Sequence, residues 1–232
     1  MDAHRQTKRE GKPMTDIVIL SGARTAIGGF GGSLAATPPT ELGRIASVAA
    51  LERAGLEGGS IGHVAFGHVI NTEPKDMYLS RIAAMEAGIP ETVPAMNVNR
   101  LCGAGAQAGV SVIQSLMLGD AEFGLAGGAE AMSRSPYIMP SARWGQKMGD
   151  AGAQDMMLGA LNCPFGTGHM GVTAENVAAE HGIGRADQDA FALESQTRAA
   201  RAIQEGRFAD QSTPVEVRVK RDKVPFVTDE HP

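Results

Sequence analysis

The chain has 232 residues, of which 43% are apolar and 20% are charged, and its net charge is −5. This composition is ordinary for a soluble globular protein with one large domain, or one domain with a sizeable insertion. The acidic balance argues against nonspecific nucleic-acid binding, which needs a basic surface, and no apolar run reaches the roughly 20 residues of a membrane span.

The two cysteines, Cys102 and Cys163, do not have the spacing of metal ligands. Two cysteines do not form a disulfide framework in a chain of this size, so we expect a reducing, cytoplasmic location. The first thirteen residues are polar and partly basic, without the apolar stretch of a secretory signal. We predict that residues 1–15 form a disordered N-terminal arm.

From Asp16 onward, predicted strands and helices alternate, which indicates a mostly parallel sheet with helices on its faces. The continuous apolar run 17–20 predicts a strand that is buried on both sides. A helix opens at Pro38-Pro39 and stops at Gly55, a typical C-terminal signal. The further predicted elements are strand 63–70, helix 79–87, strand 93–98, helix 102–118 and strand 123–129. Along the strand at 63–70, we expect His63 and His68 to face solvent or a neighbouring loop.

The character of the sequence changes after Ser135, where residues 136–164 are rich in Met, Gly and Pro and show little periodicity. Helices at 172–180 and 185–205 follow, and alternating valines predict a half-exposed strand at 215–219. We therefore predict an α/β domain over 16–133 and a smaller α+β domain over 134–232.

Cys102 has a position that suits a reactive thiol. A buried strand ends just before it, and the first turn of the following helix contains only Gly and Ala. The partial positive charge and free N–H groups of a helix N-terminus favour a thiolate and can stabilise an oxyanion on an acyl group attached to the sulfur. The alternative is a small buried cysteine with no chemical role, as most free cysteines are.

A dinucleotide-binding fingerprint is a second interpretation of the same stretch. Residues 103–108 fit the pattern G-x-G-x-x-A after a strand. That site needs an acid at the end of the next strand, about 20 residues on. Here Asp120 and Glu122 precede the next predicted strand, which ends in Gly-Gly-Ala-Glu. A nicotinamide-dependent enzyme is therefore the weaker hypothesis.

Five segments, in order and in register, resemble the thiolase family over essentially the whole chain from Asp16. They are S-G-A-R-T-A-I-G at 21–28, N-R-L-C-G-A-G at 99–105, G-G-A-E-A-M-S at 127–133, M-G-D at 148–150 and H-M-G-V-T-A-E-N-V-A at 169–178. Ala104 and Ala131 stand where many members of the family have Ser. Neither position supplies the reacting sulfur, so we expect only packing to differ there.

The resemblance implies a thiolase N-terminal half, followed over 134–232 by most of the loop domain that contacts coenzyme A. It implies that Cys102 is the nucleophile of an acyltransferase, that its own N–H contributes to an oxyanion hole, and that Leu161, His169 and Met170 line the pantetheine channel. The expected substrates are 3-ketoacyl-CoA or acetyl-CoA with coenzyme A, and no cofactor is expected. Homodimers or homotetramers are usual in the family, and the segment 136–149 resembles its tetramerising loop.

Three catalytic features of thiolases are missing from this sequence. The G-H-P and C-x-G motifs and the water-orienting asparagine of the family's second half do not occur in the 232 residues. An unassisted thiol lacks the base that carbon–carbon cleavage needs, so we expect no full turnover by this chain alone. We also expect an apolar helix face left exposed by the absent half. The alternative is a truncated, non-catalytic thiolase fragment that binds CoA esters or pairs with another thiolase subunit.

Overall fold

The structure, a computed structural model, describes residues 16–230. The predicted N-terminal arm, residues 1–15, lies outside the described residues, as do residues 231–232.

Apart from the strand predicted at 17–20, the elements follow one another in the order that the sequence predicted, with β1 and several short elements of the second part as additions. The strands are β1 (Arg24–Thr25), β2 (Ile61–Gly67), β3 (Ala95–Val98), β4 (Phe123–Gly128), β5 (Tyr137–Ile138), β6 (Gln154–Asp155), β7 (Asn162–Cys163), β8 (Gly168–His169), β9 (Ser212–Thr213), β10 (Val215–Val219) and β11 (Asp222–Phe226). The helices are α1 (Pro39–Ala54), α2 (Leu79–Glu86), α3 (Ala104–Leu118), α4 (Met156–Leu161), α5 (Met170–Glu180) and α6 (Arg185–Gln204), and short 3₁₀ turns lie at Gly58–Ser60, Pro74–Tyr78, Met132–Arg134 and Ala142–Trp144.

A parallel sheet in the order β3-β2-β4 forms the centre of the molecule. Successive side chains of β2 point to opposite faces. Val64 and Phe66 are buried in a cluster that includes Leu79 and Ala83 of α2, whereas Ala65 packs against α3 on the other face. The sheet therefore carries helices on both sides, as the α/β interpretation predicted.

Helix α1 begins and ends where the proline and glycine signals of the sequence predicted. Pro39 is its first residue, where a missing N–H costs nothing. Gly55 ends it in the left-handed conformation with φ = 65°, and its N–H bonds back to the carbonyl of Glu52 at 3.1 Å.

Helix α3 has one face on the sheet and an apolar face in solvent. Ala104, Ala108 and Val112 are buried against the sheet. The exposed apolar side chains of the helix are Val110, Ile113, Met117 and Leu118. By length and composition alone, the segment Leu101–Leu118 is apolar enough to cross a membrane. Its packing against β2 and β4 makes it one layer of the α/β fold, and its outer face is the exposed apolar surface that the sequence predicted.

The buried strand predicted over residues 17–20 was wrong. The backbone there forms no strand, and Val18, Ile19 and Leu20 are exposed, with Ile19 at 92%. This segment lies along a groove beside α1 and β4. Within the described residues, no strand pairs with it and no second layer covers its outer side. The first pairing is instead that of the two-residue β1 with β9.

The second part of the chain is mostly exposed, but residues near its end pack against the first part. The hairpin of β10 and β11 buries Val215 and Val217 against Leu34, with Leu42 and Ile45 at the edge of the same cluster. Further along, the carboxylate of Asp229 pairs with Arg24 at 2.7 Å. The domain boundary near residue 133 stays a prediction, although the contacts of residues 212–230 tie the end of the second part to the first.

Candidate active site

The carboxyl ends of β2 and β4 meet the N-terminus of α3 at one edge of the sheet. Gly67 ends β2, and a Cβ atom on it would lie 2.5 Å from the carbonyl carbon of Ala104 and 2.6 Å from the nitrogen of Gly105. Only glycine lets the first turn of α3 come this close to the strand. Ligands of parallel α/β sheets bind outside this same edge.

A cavity of about 530 Å³ opens at this edge. Its walls come from the ends of β2 and β4, the start of α3, and helix α4 of the second part. The lining residues are Gly67, Val69, Ile70, Leu101, Cys102, Ala104, Gly105, Gly128, Ala129, Glu130, Met132, Met157, Ala160 and Leu161. Apolar side chains and backbone dominate the surface, which suits an acyl chain and the thioester end of a larger molecule.

Cys102 is exposed and lines this cavity. The sequence predicted that α3 starts at Cys102, but its first residue is Ala104 and its N-cap is Gly103. The turn before the helix is closed by the N–H of Gly103, which donates to the carbonyl of Arg100 at 3.1 Å, and the N–H of Ala104, which donates to that of Leu101 at 2.9 Å. Cys102 thus lies one residue before the N-cap of α3, in the turn that leads into the helix.

Glu130, which lines the cavity, and the buried His68 are polar residues at this edge of the sheet. The carboxylate of Glu130 accepts the N–H groups of Val69 at 2.9 Å and Ile70 at 3.1 Å, which joins the chain after β2 to the chain after β4. His68 is buried, and its Nδ1 lies 2.9 Å from the carbonyl oxygen of Ala129. Of the two surroundings expected for His68, the neighbouring loop is the one observed, because the ring contacts the segment after β4 and is buried from solvent.

The structure brings only one of the three predicted CoA-contacting residues into the cavity. Leu161, at the end of α4, lies on its wall. Among the described residues, His169 and Met170 do not line it. His169 caps α5, with its Nδ1 accepting the N–H of Gly171 at 3.0 Å, and Met170 is the first residue of that helix and is 43% exposed.

Sequence reasoning missed several wall residues, above all Val69, Ile70 and Met157. Met157 lies on the cavity wall near the start of α4, where the Asp155 carboxylate caps the helix by accepting the N–H of Met157 at 2.8 Å. The rule that sites form where parallel strands end could have found the two residues after β2. No local pattern marks Met157.

Cys163 lies outside the cavity, in the hairpin between β7 and β8, and its thiol is partly exposed. The Thr167 hydroxyl, and after it the backbone N–H groups of Phe165 and Thr167, lower the pKa of Cys163 below its usual value. Over residues 16–230, no group of three or more His, Cys, Asp or Glu side chains could hold a metal ion.

Comparison with known proteins places this chain in a family. The model of the thiolase N-terminal domain matches residues 17–232. The chain belongs to the thiolase family. It is 56% identical over 216 residues to the beta-ketothiolase BktB of Cupriavidus necator, an alignment that covers 93% of this chain and 55% of that protein.

Two solved thiolases share the fold of this thiolase chain. The acetyl-CoA acetyltransferase of Bacillus anthracis superposes with a TM-score of 0.90 at 38% identity, covering 94% of this chain and 55% of that one. The human mitochondrial 3-ketoacyl-CoA thiolase in complex with CoA gives 0.86 at 35% identity, covering 91% and 53%. These likenesses confirm the predicted thiolase-like α/β fold. The chain spans about half the length of the relatives it matches.

Proposed function

We propose that this thiolase chain carries the acyl-accepting half of a thiolase reaction, with Cys102 as the residue that becomes acylated. The observation that supports this most directly is the exposure of Cys102 in an apolar cavity at the sheet edge, beside the first turn of α3. The relatives are named beta-ketothiolase and acetyl-CoA acetyltransferase.

The first step takes an acyl group from a CoA thioester. With an acyl-CoA, the Cys102 thiolate attacks the thioester carbonyl, its new C–S bond forms, and the bond to coenzyme A breaks with release of the CoA thiolate. With a 3-ketoacyl-CoA, the sulfur attacks the 3-keto carbon, the bond between C2 and C3 breaks, and acetyl-CoA leaves after its C2 takes a proton from an acid. By family resemblance that acid is the cysteine of the C-x-G motif, which does not occur in the 232 residues, so this branch needs a partner chain that supplies it. The free N–H groups near Cys102 would stabilise the oxyanion in either case. Transfer of the acyl group to a second coenzyme A reverses the first chemistry.

We further propose that Leu161 contacts the pantetheine arm from the cavity wall, and that His169 and Met170 contact it farther out. A homologous thiolase has been solved in complex with CoA, which makes coenzyme A the natural ligand to test. Assembly into homodimers or homotetramers, action in the cytoplasm and independence of any cofactor complete the proposal.

Intact-mass spectrometry after incubation with acetyl-CoA, whose acyl group is transferred without breaking a carbon–carbon bond, tests the proposal. Wild type and Cys163→Ala should each gain the mass of one acyl group, whereas Cys102→Ala should gain none. Cys163 is the matched control because it is the other cysteine of the chain and lies outside the cavity.

Absence of acylation in folded wild-type protein would refute Cys102 as a competent acyl acceptor in this chain. Acylation of the Cys102→Ala variant would refute the assignment of the residue. The non-catalytic alternative predicts no acylation together with binding to a CoA ester or to another thiolase subunit, which calorimetry and analytical ultracentrifugation detect.

A further inference from the structure

Leu101 has an unusual backbone conformation directly before the candidate nucleophile. Its φ is 49°, in the left-handed region that residues with a Cβ atom rarely adopt. Among the described non-glycine residues, Lys220 alone shares a positive φ, in the turn between β10 and β11. A strained residue in a loop that lines a cavity needs its surroundings to fix it.

The Asn99 side chain fixes this conformation from two sides. Its Oδ1 accepts the N–H of Leu101 at 3.0 Å, and its Nδ2 donates to the carbonyl of Val69 at 3.4 Å. The first bond closes a local turn of the kind that asparagine favours. The second joins that turn to the chain leaving β2, next to Glu130.

The backbone after Leu101 then has a defined path. The carbonyl of Leu101 accepts the N–H of Ala104 at 2.9 Å, so the conformation of Leu101 determines where the first turn of α3 begins relative to Cys102. Leu101, Cys102 and Val69 all line the cavity, whereas Asn99 does not. The Asn99 side chain can therefore act on the cavity only through the backbone that it holds.

We propose that Asn99 is a positioning residue, whose side-chain amide holds Leu101 in the left-handed conformation that presents Cys102 to the cavity. The inference deepens the proposed function, since it concerns how the acyl-accepting thiol is placed. It does not depend on which acyl group is transferred.

The test is a double-mutant comparison of Asn99→Ala in two backgrounds, Leu101 and Leu101→Gly, with Cys163→Ala throughout so that Cys102 is the single thiol. Glycine adopts a positive φ without the Cβ strain, so the turn depends less on Asn99 once Leu101 is replaced. We expect Asn99→Ala to slow acylation by acetyl-CoA about tenfold in the leucine background, and by no more than about threefold in the glycine background. Mass spectrometry at timed intervals gives the rates.

Alkylation of Cys102 by iodoacetamide at neutral pH is measured in the same four proteins, because it needs no acyl-CoA site. We expect the same dependence on background, since Cys102 moves relative to the N–H groups of α3. If wild type is alkylated but not acylated, the proposed function fails while the alkylation rates still test Asn99.

A purely structural role for Asn99 gives a different result. Equal slowing by Asn99→Ala in both backgrounds, in acylation and in alkylation, would overturn the proposal, as would no slowing at all. Urea unfolding of each variant shows that the folded protein is being compared. Asn99→Asp, which keeps the oxygen acceptor and loses the donor to Val69, should retain more of the acylation rate than Asn99→Ala.

Discussion

Replacing Gly67 by alanine should push the first turn of α3 away from β2 and move Cys102 with it. The added Cβ would lie 2.5 Å from the carbonyl carbon of Ala104 and 2.6 Å from the nitrogen of Gly105. Carbon atoms in contact are normally about 3.5 Å or more apart, so the helix start has to move by roughly 1 Å. Both atoms that it meets are backbone, so no side chain can rotate out of the way.

The expected cost follows from this displacement. Overpacking of this kind costs about 1–3 kcal/mol of stability. A misplacement of roughly 1 Å near the reacting group slows chemistry on the order of 100-fold. Gly67→Ala should therefore lower the free energy of unfolding in urea by about 1–3 kcal/mol, and it should slow acylation of Cys102 by much more than that loss of stability alone explains.

Gly109→Ala is the matched control, because a Cβ on this residue in the middle of α3 meets no atom within 4 Å. Alanine is the better helix former, so we expect a gain of about 0.5–1 kcal/mol and an unchanged acylation rate. If Gly67→Ala unfolds at the same urea concentration as wild type and is acylated at the wild-type rate, the close approach of β2 and α3 does not limit the site.

Two further predictions concern titrating groups outside the cavity. Thr167→Val removes the hydroxyl that lowers the pKa of Cys163, so alkylation of Cys163 at neutral pH should slow, and a rate equal to that of wild type would contradict this effect of Thr167. The hydrogen bonds from Arg24 lower the pKa of Asp229, so this carboxylate stabilises the fold above about pH 4 and loses that contribution as the pH falls through its lowered value. The difference in unfolding free energy between wild type and Asp229→Asn should therefore shrink between neutral pH and about pH 3 in urea titrations, and a constant difference would contradict the ion pair.

Local signals in the sequence were sufficient to predict most of the first part. Pro39 and Gly55 bound α1 because proline suits a helix start and glycine the left-handed end. The alternating valines of β10 gave its bounds without error. Cys102 could be placed near a helix start because a strand signal and a run of small residues flank it.

The walls of the cavity could not be predicted from local signals. Met157 and Ile70 are 87 positions apart in sequence, and they face one cavity only because α4 folds back over the sheet edge. The positive φ of Leu101 also could not be predicted from the sequence, since leucine has no preference for this conformation. Asn99 is the residue type that could have suggested a turn at this point, but its partner at Val69 follows from the tertiary fold.

The wrong prediction of a buried strand at residues 17–20 and the exposed apolar face of α3 have a common physical cause. An apolar run indicates that burying the segment is favourable, by about 25 cal/mol for each Å² of apolar surface removed from water. It does not indicate which element covers the segment. For Val64 of β2, the covering elements lie within the described residues, and the side chain is buried in the strand that the sequence predicted. For Ile19 and for Met117 of α3, no described element covers the side chain, and each remains exposed. Hydrophobic pattern therefore predicts which surfaces of this chain favour burial, and the covering element must be identified from tertiary contacts.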